Sequence, residues 1–67
     1  MIKQKLGLRI KELRKKQSLS QEELADIAGL DRTYINSVEN GKRNISLINI
    51  EKFANAFGLS LKDFFDF

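Results

Sequence analysis

The sequence predicts an all-α fold, and three observations support this fold class. Apolar residues recur at the spacings of three and four that place them on one face of a helix. No segment alternates apolar and polar residues in the way that a half-buried strand requires. The chain has no proline, and its four glycines fall at intervals typical of helix ends. A chain of 67 residues with this pattern holds one small helical domain.

The first two helices are predicted by their apolar repeats and by the residues at their ends. We expect the first over residues 2–17, slightly weakened by Gly7, with a packed face formed by Leu6, Ile10, Leu13 and Gln17. The second begins at Ser20, which has the spacing of a capping box with Glu23, and ends at Gly29. Its apolar face consists of Leu24, Ile27 and Ala28.

A third helix is predicted over residues 32–40. Asp31 is a favourable N-cap residue immediately before it, and Gly41 closes it. Ile35 and Val38 are three residues apart, so both point inward from the same face.

Two more helices complete the predicted fold. Ser46 caps a fourth helix that stops at Gly58, and its core stripe is formed by Leu47, Ile50, Phe53, Ala54 and Phe57. Ser60 and Asp63 then start a short fifth helix.

The composition argues against an enzyme. Cysteine and histidine are both absent, which removes disulfides, thiol nucleophiles, imidazole bases and the usual zinc ligands. The carboxylates are explained as helix caps and solvated surface, and no nucleophile lies beside a base; these carboxylates are Glu22, Glu23, Asp26, Asp63 and Asp66. We therefore expect no cofactor, metal or small-molecule ligand. The apolar stretches are far shorter than the roughly 20 residues that a membrane span requires, and no leader pattern opens the sequence, so we also expect a cytoplasmic protein.

Positive charge is concentrated at the start of the chain. The formal net charge is +3, and residues 1–17 contain one acid, Glu12, against seven bases: Lys3, Lys5, Arg9, Lys11, Arg14, Lys15 and Lys16. This asymmetry suits binding to a polyanion such as nucleic acid, and an ordinary solvated helix face explains it equally well.

The spacing of the second and third helices is more specific. Two short helices joined by a glycine-containing turn form the helix-turn-helix layout, here at about residues 20–40. Ala25 is small where the two helices must cross, Gly29 lies in the turn, and Ile35 and Val38 anchor the second helix. The alternative is an unrelated five-helix bundle.

Two runs within this region resemble a known family. Leu-Ser-Gln-Glu-Glu-Leu-Ala at Leu19–Ala25 and Val-Glu-Asn-Gly-Lys-Arg at Val38–Arg43 resemble the opening and the close of the motif in Cro/XRE-type regulators related to phage repressors. Leu30–Ile35, followed by Glu39 and Arg43-Asn44, is most similar to the controller proteins of restriction-modification systems. The resemblance covers nearly the whole chain. It implies a compact, phage-repressor-like transcriptional regulator with residues 46–67 forming core and dimer contacts.

Four side chains of the third helix are predicted to reach base edges in the major groove: Arg32, Thr33, Asn36 and Ser37. Arg32 can donate two hydrogen bonds to guanine, and the Thr33 methyl group can contact thymine. For Arg32, a phosphate contact or a solvated helix start is the alternative.

A second set of residues is predicted to contact the DNA backbone: Gln21, Tyr34, Asn40, Lys42, Arg43 and Asn44. Gln21 stands at a helix N-terminus, which suits a phosphate, and the family resemblance implies the same role. Tyr34 either contacts DNA or lies half-buried against the first helix. A basic loop without a binding role is the alternative for the residues after the third helix.

The remaining predictions concern structure and assembly. The resemblance implies that Arg14 and Glu39 form a partly buried salt bridge between the first and third helices. The C-terminal stretch carries more apolar surface than one short helix can hide, so we expect a homodimer contacting through Leu61, Phe64, Phe65 and Phe67. For Leu61 and Phe64, burial within the chain's own core is the alternative.

These observations predict a regulator that binds a palindromic DNA operator as a homodimer and controls restriction-modification genes. A second hypothesis is an antitoxin or a phage-type repressor, which would also bind DNA. A protein-interaction module that kept the fold without the groove contacts is a third, and weak binding to DNA of any sequence would distinguish it.

Overall fold

A computed structural model describes all 67 residues and contains five α-helices and no strand. The helices are α1 (Ile2–Lys16), α2 (Gln21–Ala28), α3 (Arg32–Glu39), α4 (Leu47–Phe57) and α5 (Leu61–Phe64). The predicted fold class is confirmed, and each helix lies where its apolar repeat and end residues placed it. None of the five is long and apolar enough to cross a membrane.

The helix starts follow local capping chemistry. The Ser20 hydroxyl accepts a hydrogen bond from the Glu23 backbone N–H, while the Glu23 carboxylate accepts one from the Ser20 N–H, which completes the predicted capping box. Ser46 and Ser60 cap α4 and α5 in the same way through their hydroxyls. Asp31 occupies the N-cap position of α3 with extended backbone, but its side chain makes no capping hydrogen bond, so only its position was predicted correctly.

The core is one apolar cluster to which all five helices contribute: Leu6, Ile10, Leu13, Leu24, Ala25, Ile35, Val38, Ile50, Phe53, Ala54, Phe57 and Phe64. Helix α3 packs against both α1 and α2, and α4 packs against α1, α2 and α5. The helix pair that forms the predicted motif is therefore held from behind by the rest of the chain.

Three predicted core positions are wrong. Ile27 is 56% exposed because Ala25, rather than Ile27, lies on the inward face of α2 beside Leu24 and Ala28. Leu47 is 83% exposed because it stands at the first residue of α4, beyond the edge of the core. Gln17 is exposed as well, although its side-chain amide donates a hydrogen bond to the Phe57 carbonyl oxygen at 2.9 Å.

Phe64 corrects the predicted dimer contact. It is fully buried in the chain's own core, stacked at 6.5 Å from Phe57, so it has no surface left for a partner. Arg9 fixes this end of the chain, since its guanidinium donates to the Asp63 and Phe64 carbonyl oxygens at 2.9 and 3.0 Å. Leu61, for which burial was the alternative, is 48% exposed.

Gly7 marks the closest approach of α1 to α3. A Cβ atom at this position would overlap the Val38 carbonyl oxygen and would lie 3.1 Å from the Glu39 carbonyl oxygen. Glycine therefore serves the packing of two helices here, at the modest cost to helix propensity that its presence in α1 predicts.

Candidate nucleic-acid interface

The turn between α2 and α3 sets the position of the outer helix. Gly29 takes the left-handed conformation (φ 70°, ψ 37°) that ends α2, and the Leu30 N–H donates back to the Ala25 carbonyl oxygen at 2.9 Å. Three residues separate the end of α2 from the start of α3. The turn thus supplies the short, glycine-containing connection of a helix-turn-helix.

Helix α3 is divided cleanly between an anchoring face and an open face. Ile35 and Val38 are almost fully buried. Of the predicted base-contacting residues, Arg32, Thr33 and Asn36 are exposed, while Ser37 is half-buried. The open face therefore presents Arg32, Thr33 and Asn36 to solvent, with Ser37 at its edge.

A buried ion pair fixes the inner end of α3 against α1. The Arg14 guanidinium donates to both Glu39 carboxylate oxygens, at 2.7 Å from Nε and 3.0 Å from Nη2, and donates from Nη1 to the Leu19 carbonyl oxygen at 2.8 Å. The Glu39 side chain is 3% exposed. Hydrogen bonding to Glu39 raises the pKa of Arg14, so the guanidinium stays charged. The Arg14–Glu39 salt bridge implied by the family resemblance is present in this geometry.

Gln21 joins this ion pair to the open face. Its side-chain Nε2 donates to Glu39 Oε1 at 3.1 Å and to Asn36 Oδ1 at 3.2 Å. An amide nitrogen carries two hydrogens, so both are used inside the chain. Contact between this side chain and a phosphate, the predicted role of Gln21, would require one of these bonds to be exchanged.

The segment after α3 carries four of the predicted backbone-contacting residues, all exposed: Asn40, Lys42, Arg43 and Asn44. The Asn40 side chain donates to the Asn36 carbonyl oxygen at 2.9 Å and so completes the end of α3. Lys42 and Arg43 add two exposed positive charges directly after α3.

Tyr34 lies half-buried between α3 and α4. Its hydroxyl accepts a hydrogen bond from Asn49 Nδ2 at 3.1 Å, and the Arg43 guanidinium lies over its ring at 5.3 Å. The hydroxyl is thus held by α4. One of the two options predicted from the sequence placed the ring against the first helix instead. The hydroxyl hydrogen remains available to a phosphate oxygen.

The basic residues of α1 divide into two groups. Arg9 and Arg14 are bound to acceptors within the chain. Lys5, Lys11, Lys15 and Lys16 are exposed, and Lys3 is half-buried. No cluster of three or more acidic side chains could hold a metal ion. The arrangement is suited to binding an anionic polymer by charge and hydrogen bonding.

Sequence reasoning missed three contributors to this region. Asn49 holds Tyr34, Gly7 allows α1 to approach α3, and Arg9 holds the C-terminal segment. Only Gly7 carried a signal, since a glycine inside an otherwise regular helix often marks a close backbone approach.

Comparison with known proteins agrees with this geometry. The family described as helix-turn-helix matches residues 10–64. The control protein C.MunI of a Mycoplasma species is 51% identical over 65 residues, which cover 96% of this chain and 88% of that protein.

Two solved structures share the whole fold. The restriction-modification controller protein C.AhdI of Aeromonas hydrophila has a TM-score of 0.89 and 48% identity, covering 94% of this chain and 96% of that chain. C.Esp1396I bound to a 25 base pair operator site has a TM-score of 0.91 and 32% identity, covering 98% of this chain and 87% of that chain. The chain therefore belongs to the helix-turn-helix family of Cro/XRE type, together with controller proteins of restriction-modification systems.

Proposed function

We propose that this chain is a transcriptional regulator, without catalytic activity, that binds a palindromic operator as a homodimer and controls restriction-modification genes. The observation that carries the proposal is the division of α3, where Arg32, Thr33 and Asn36 stand open above a buried Ile35–Val38 anchor. Similarity to C.MunI and to operator-bound C.Esp1396I supports it. Such a regulator acts where the cell keeps its DNA, in the cytoplasm.

In this proposal, the two sets of residues have different tasks. The exposed side chains of α3, with Ser37 at their edge, read base edges, while Lys42, Arg43, Asn44 and the Tyr34 hydroxyl contact phosphates and fix the register. Asn40 closes α3 through its hydrogen bond to the Asn36 carbonyl oxygen and, in this proposal, contacts the same DNA backbone. Gln21 orients Asn36 through its side chain, and it reaches a phosphate only when one of its two internal hydrogen bonds is exchanged.

The dimer contact that we propose keeps Leu61 and Phe65 of the predicted set and replaces the other two residues with Leu47 and Ile48. Leu47 and Ile48 at the start of α4 lie around a shallow groove with Leu61 and Phe65, and all four are exposed. Phe67 lies instead beside Leu8 and Arg9 of α1. Residues 46–67 then serve both as core and as the contact between two copies.

Selection of bound sites from random double-stranded DNA tests the proposal directly. We expect a two-fold symmetric consensus, and an affinity that falls steeply as salt rises because phosphate contacts release counterions. Occurrence of that consensus beside restriction and methylation genes would identify the regulated genes. Weak binding with no consensus would contradict the proposal and favour a protein-interaction module.

The Arg32→Ala variant tests whether Arg32 contacts base edges. A lost bidentate contact to guanine costs about 1–3 kcal/mol, so affinity for the selected site should fall about 5- to 150-fold while the melting temperature stays unchanged. Binding to random DNA is the control and should change far less. Equal losses on both DNAs would show that Arg32 does not read bases.

A further inference from the structure

We infer that Asn36 reads DNA as a hydrogen-bond donor only, because Gln21 holds the oxygen of its side-chain amide. The inference rests on the proposed function and adds the chemical class of base edge that this position recognises. It follows from a chain of four side chains that begins at the buried ion pair.

The direction of the hydrogen bonds along this row of side chains is set by the Glu39 carboxylate. Arg14 donates to both oxygens of the Glu39 carboxylate, so each of these oxygens is an acceptor. The Gln21 amide atom that lies 3.1 Å from Glu39 Oε1 must therefore be the nitrogen. The opposite orientation would place two oxygens in contact beside a buried negative charge.

The same nitrogen fixes the next amide. Gln21 Nε2 also lies 3.2 Å from Asn36, and because it is a donor, the Asn36 atom that faces it must be the oxygen Oδ1. The Asn36 amino group then points away from Gln21 on an exposed side chain. The order carboxylate, amide nitrogen, amide oxygen, amino group is determined from the inside outward.

A free asparagine presents both a donor and an acceptor, and this combination pairs with adenine N6 and N7. Here the hydrogen bond from Gln21 turns the Asn36 oxygen toward α2. The side of the amide that points away from α2 therefore carries the amino group alone. In the major groove, guanine offers two adjacent acceptors, N7 and O6, and thymine offers O4. Adenine offers N7 beside the N6 donor, and cytosine offers only a donor. Asn36 should therefore favour guanine and disfavour cytosine at the base that it contacts.

The Asn36→Asp variant replaces the hydrogen-bond donor that faces the groove with an acceptor and keeps the shape of the side chain. One oxygen of the introduced carboxylate would still accept from Gln21, and the other would face the groove as an acceptor, which suits the amino group of cytosine. We expect the guanine-to-cytosine preference at one position of each half-site to shift by about tenfold or more toward cytosine. The measurement is the affinity for the selected operator and for each single-base substitution of it.

Asn44→Asp is the matched control, because it adds the same charge after α3 at an exposed residue that is not hydrogen-bonded to Gln21 or Asn36. It should weaken binding to all sequences alike and leave every base preference unchanged. If Asn36→Asp also leaves every preference unchanged, the inference is overturned while the proposed function stands. If the unmodified chain selects no consensus, both fail.

Gln21→Met provides a second measurement that does not alter Asn36 itself. Methionine keeps the side-chain length but has no amide, so the Asn36 amide becomes free to rotate. We expect adenine to gain about tenfold relative to guanine at the same position, since the bidentate contact becomes possible. If the variant has an unaltered melting temperature and an unchanged ratio of adenine to guanine affinity, Gln21 does not fix the orientation of the Asn36 amide.

Discussion

At the scale of single residues, the buried carboxylate of Glu39 connects the fold to the DNA-facing surface. It accepts hydrogen bonds from Arg14 on α1 and from Gln21 on α2, while it belongs to α3. Three helices therefore meet at one charged group that is almost fully removed from water. This site fixes the position of α3 relative to α1 and α2.

The Glu39→Ala variant should lose much of the stability of the fold. Removing one partner of a buried pair leaves the Arg14 charge without compensation, which costs about 3–5 kcal/mol. A domain of this size has a total stability of about 3–10 kcal/mol, so the melting temperature should fall sharply. Thermal unfolding by circular dichroism measures this, with Glu22→Ala on the exposed side of α2 as the control. An unchanged melt would refute the structural role of the pair.

Single-residue roles were predictable where periodicity or a local pattern determined them. The exposure of Arg32, Thr33 and Asn36 follows from the burial of Ile35 and Val38 on the same helix. Contacts across long sequence separations carry no such pattern. Arg9 binds backbone carbonyl oxygens more than fifty residues away, and every residue has a carbonyl, so nothing in the sequence marks its partners.

At the scale of helices, the crossing of α1 and α3 depends on Gly7. Intrinsic propensity favours alanine over glycine in a helix by about 1 kcal/mol, whereas the crossing leaves no room for a methyl group beside the Val38 carbonyl. The two effects have opposite signs. Backbone atoms of a packed helix cannot move as a side chain can, so the packing effect should dominate.

We expect Gly7→Ala to lower the free energy of unfolding by about 1–3 kcal/mol, the usual cost of overpacking. For a domain of this size, each kcal/mol lowers the melting temperature by about 4–8 °C. Lys5→Ala, at an exposed position of the same helix, is the control and should change stability by no more than about 0.5 kcal/mol. A more stable Gly7→Ala variant would show that α1 and α3 lie further apart.

The capping box of α2 gives the molecule a response to acid. The hydrogen bond from the Ser20 backbone N–H, together with the Ser20 hydroxyl, lowers the pKa of Glu23 below its ordinary value of 4.5. Because the folded pKa is the lower one, this contribution to stability is complete above pH 4.5 and is lost as the pH falls through the folded value.

Carboxyl carbon NMR of Glu23 measures the difference. In the folded chain the titration midpoint should lie below 4.5, and in the urea-unfolded chain it should return to that value. Equal midpoints in the two states would mean that the capping box does not persist in solution.

Helix positions were predictable because caps and breaks are local, as at Ser20, Ser46 and Gly29. Which face of a short helix turns inward was less predictable. A helix of eight residues such as α2 makes only about two turns, so Ile27 fits an apolar stripe as well as Ala25 does. The outcome depends on where α4 packs, which the local sequence does not specify.

At the scale of the whole molecule, size and surface both favour two copies. The longest Cα extent is 26 Å, whereas two half-sites one helical turn apart are separated by roughly 34 Å. One chain therefore cannot read both halves of a palindrome. The exposed face formed by Leu47, Ile48, Leu61 and Phe65 provides an apolar surface through which a second copy could be held at a fixed spacing.

The Leu47→Glu variant separates dimer formation from folding. Leu47 is mostly exposed within one chain, and a carboxylate at the first residue of α4 interacts favourably with the helix dipole, so the folded monomer should be retained. In a dimer, the variant would place two charges in an apolar contact and would lose burial worth about 1.5–3 kcal/mol per leucine. The dimer dissociation constant should therefore rise more than about tenfold.

Analytical ultracentrifugation at micromolar concentration measures this, with Ile27→Glu as the matched control, because Ile27 is an exposed apolar residue of α2 outside the proposed contact. The control should remain dimeric. The Leu47→Glu variant should sediment as a monomer and bind the full operator more weakly. Its melting profile at low concentration should stay unchanged. A Leu47→Glu chain that sediments with the unmodified dimer would place the contact elsewhere on the surface. An unmodified chain that is monomeric at this concentration would contradict the dimer itself.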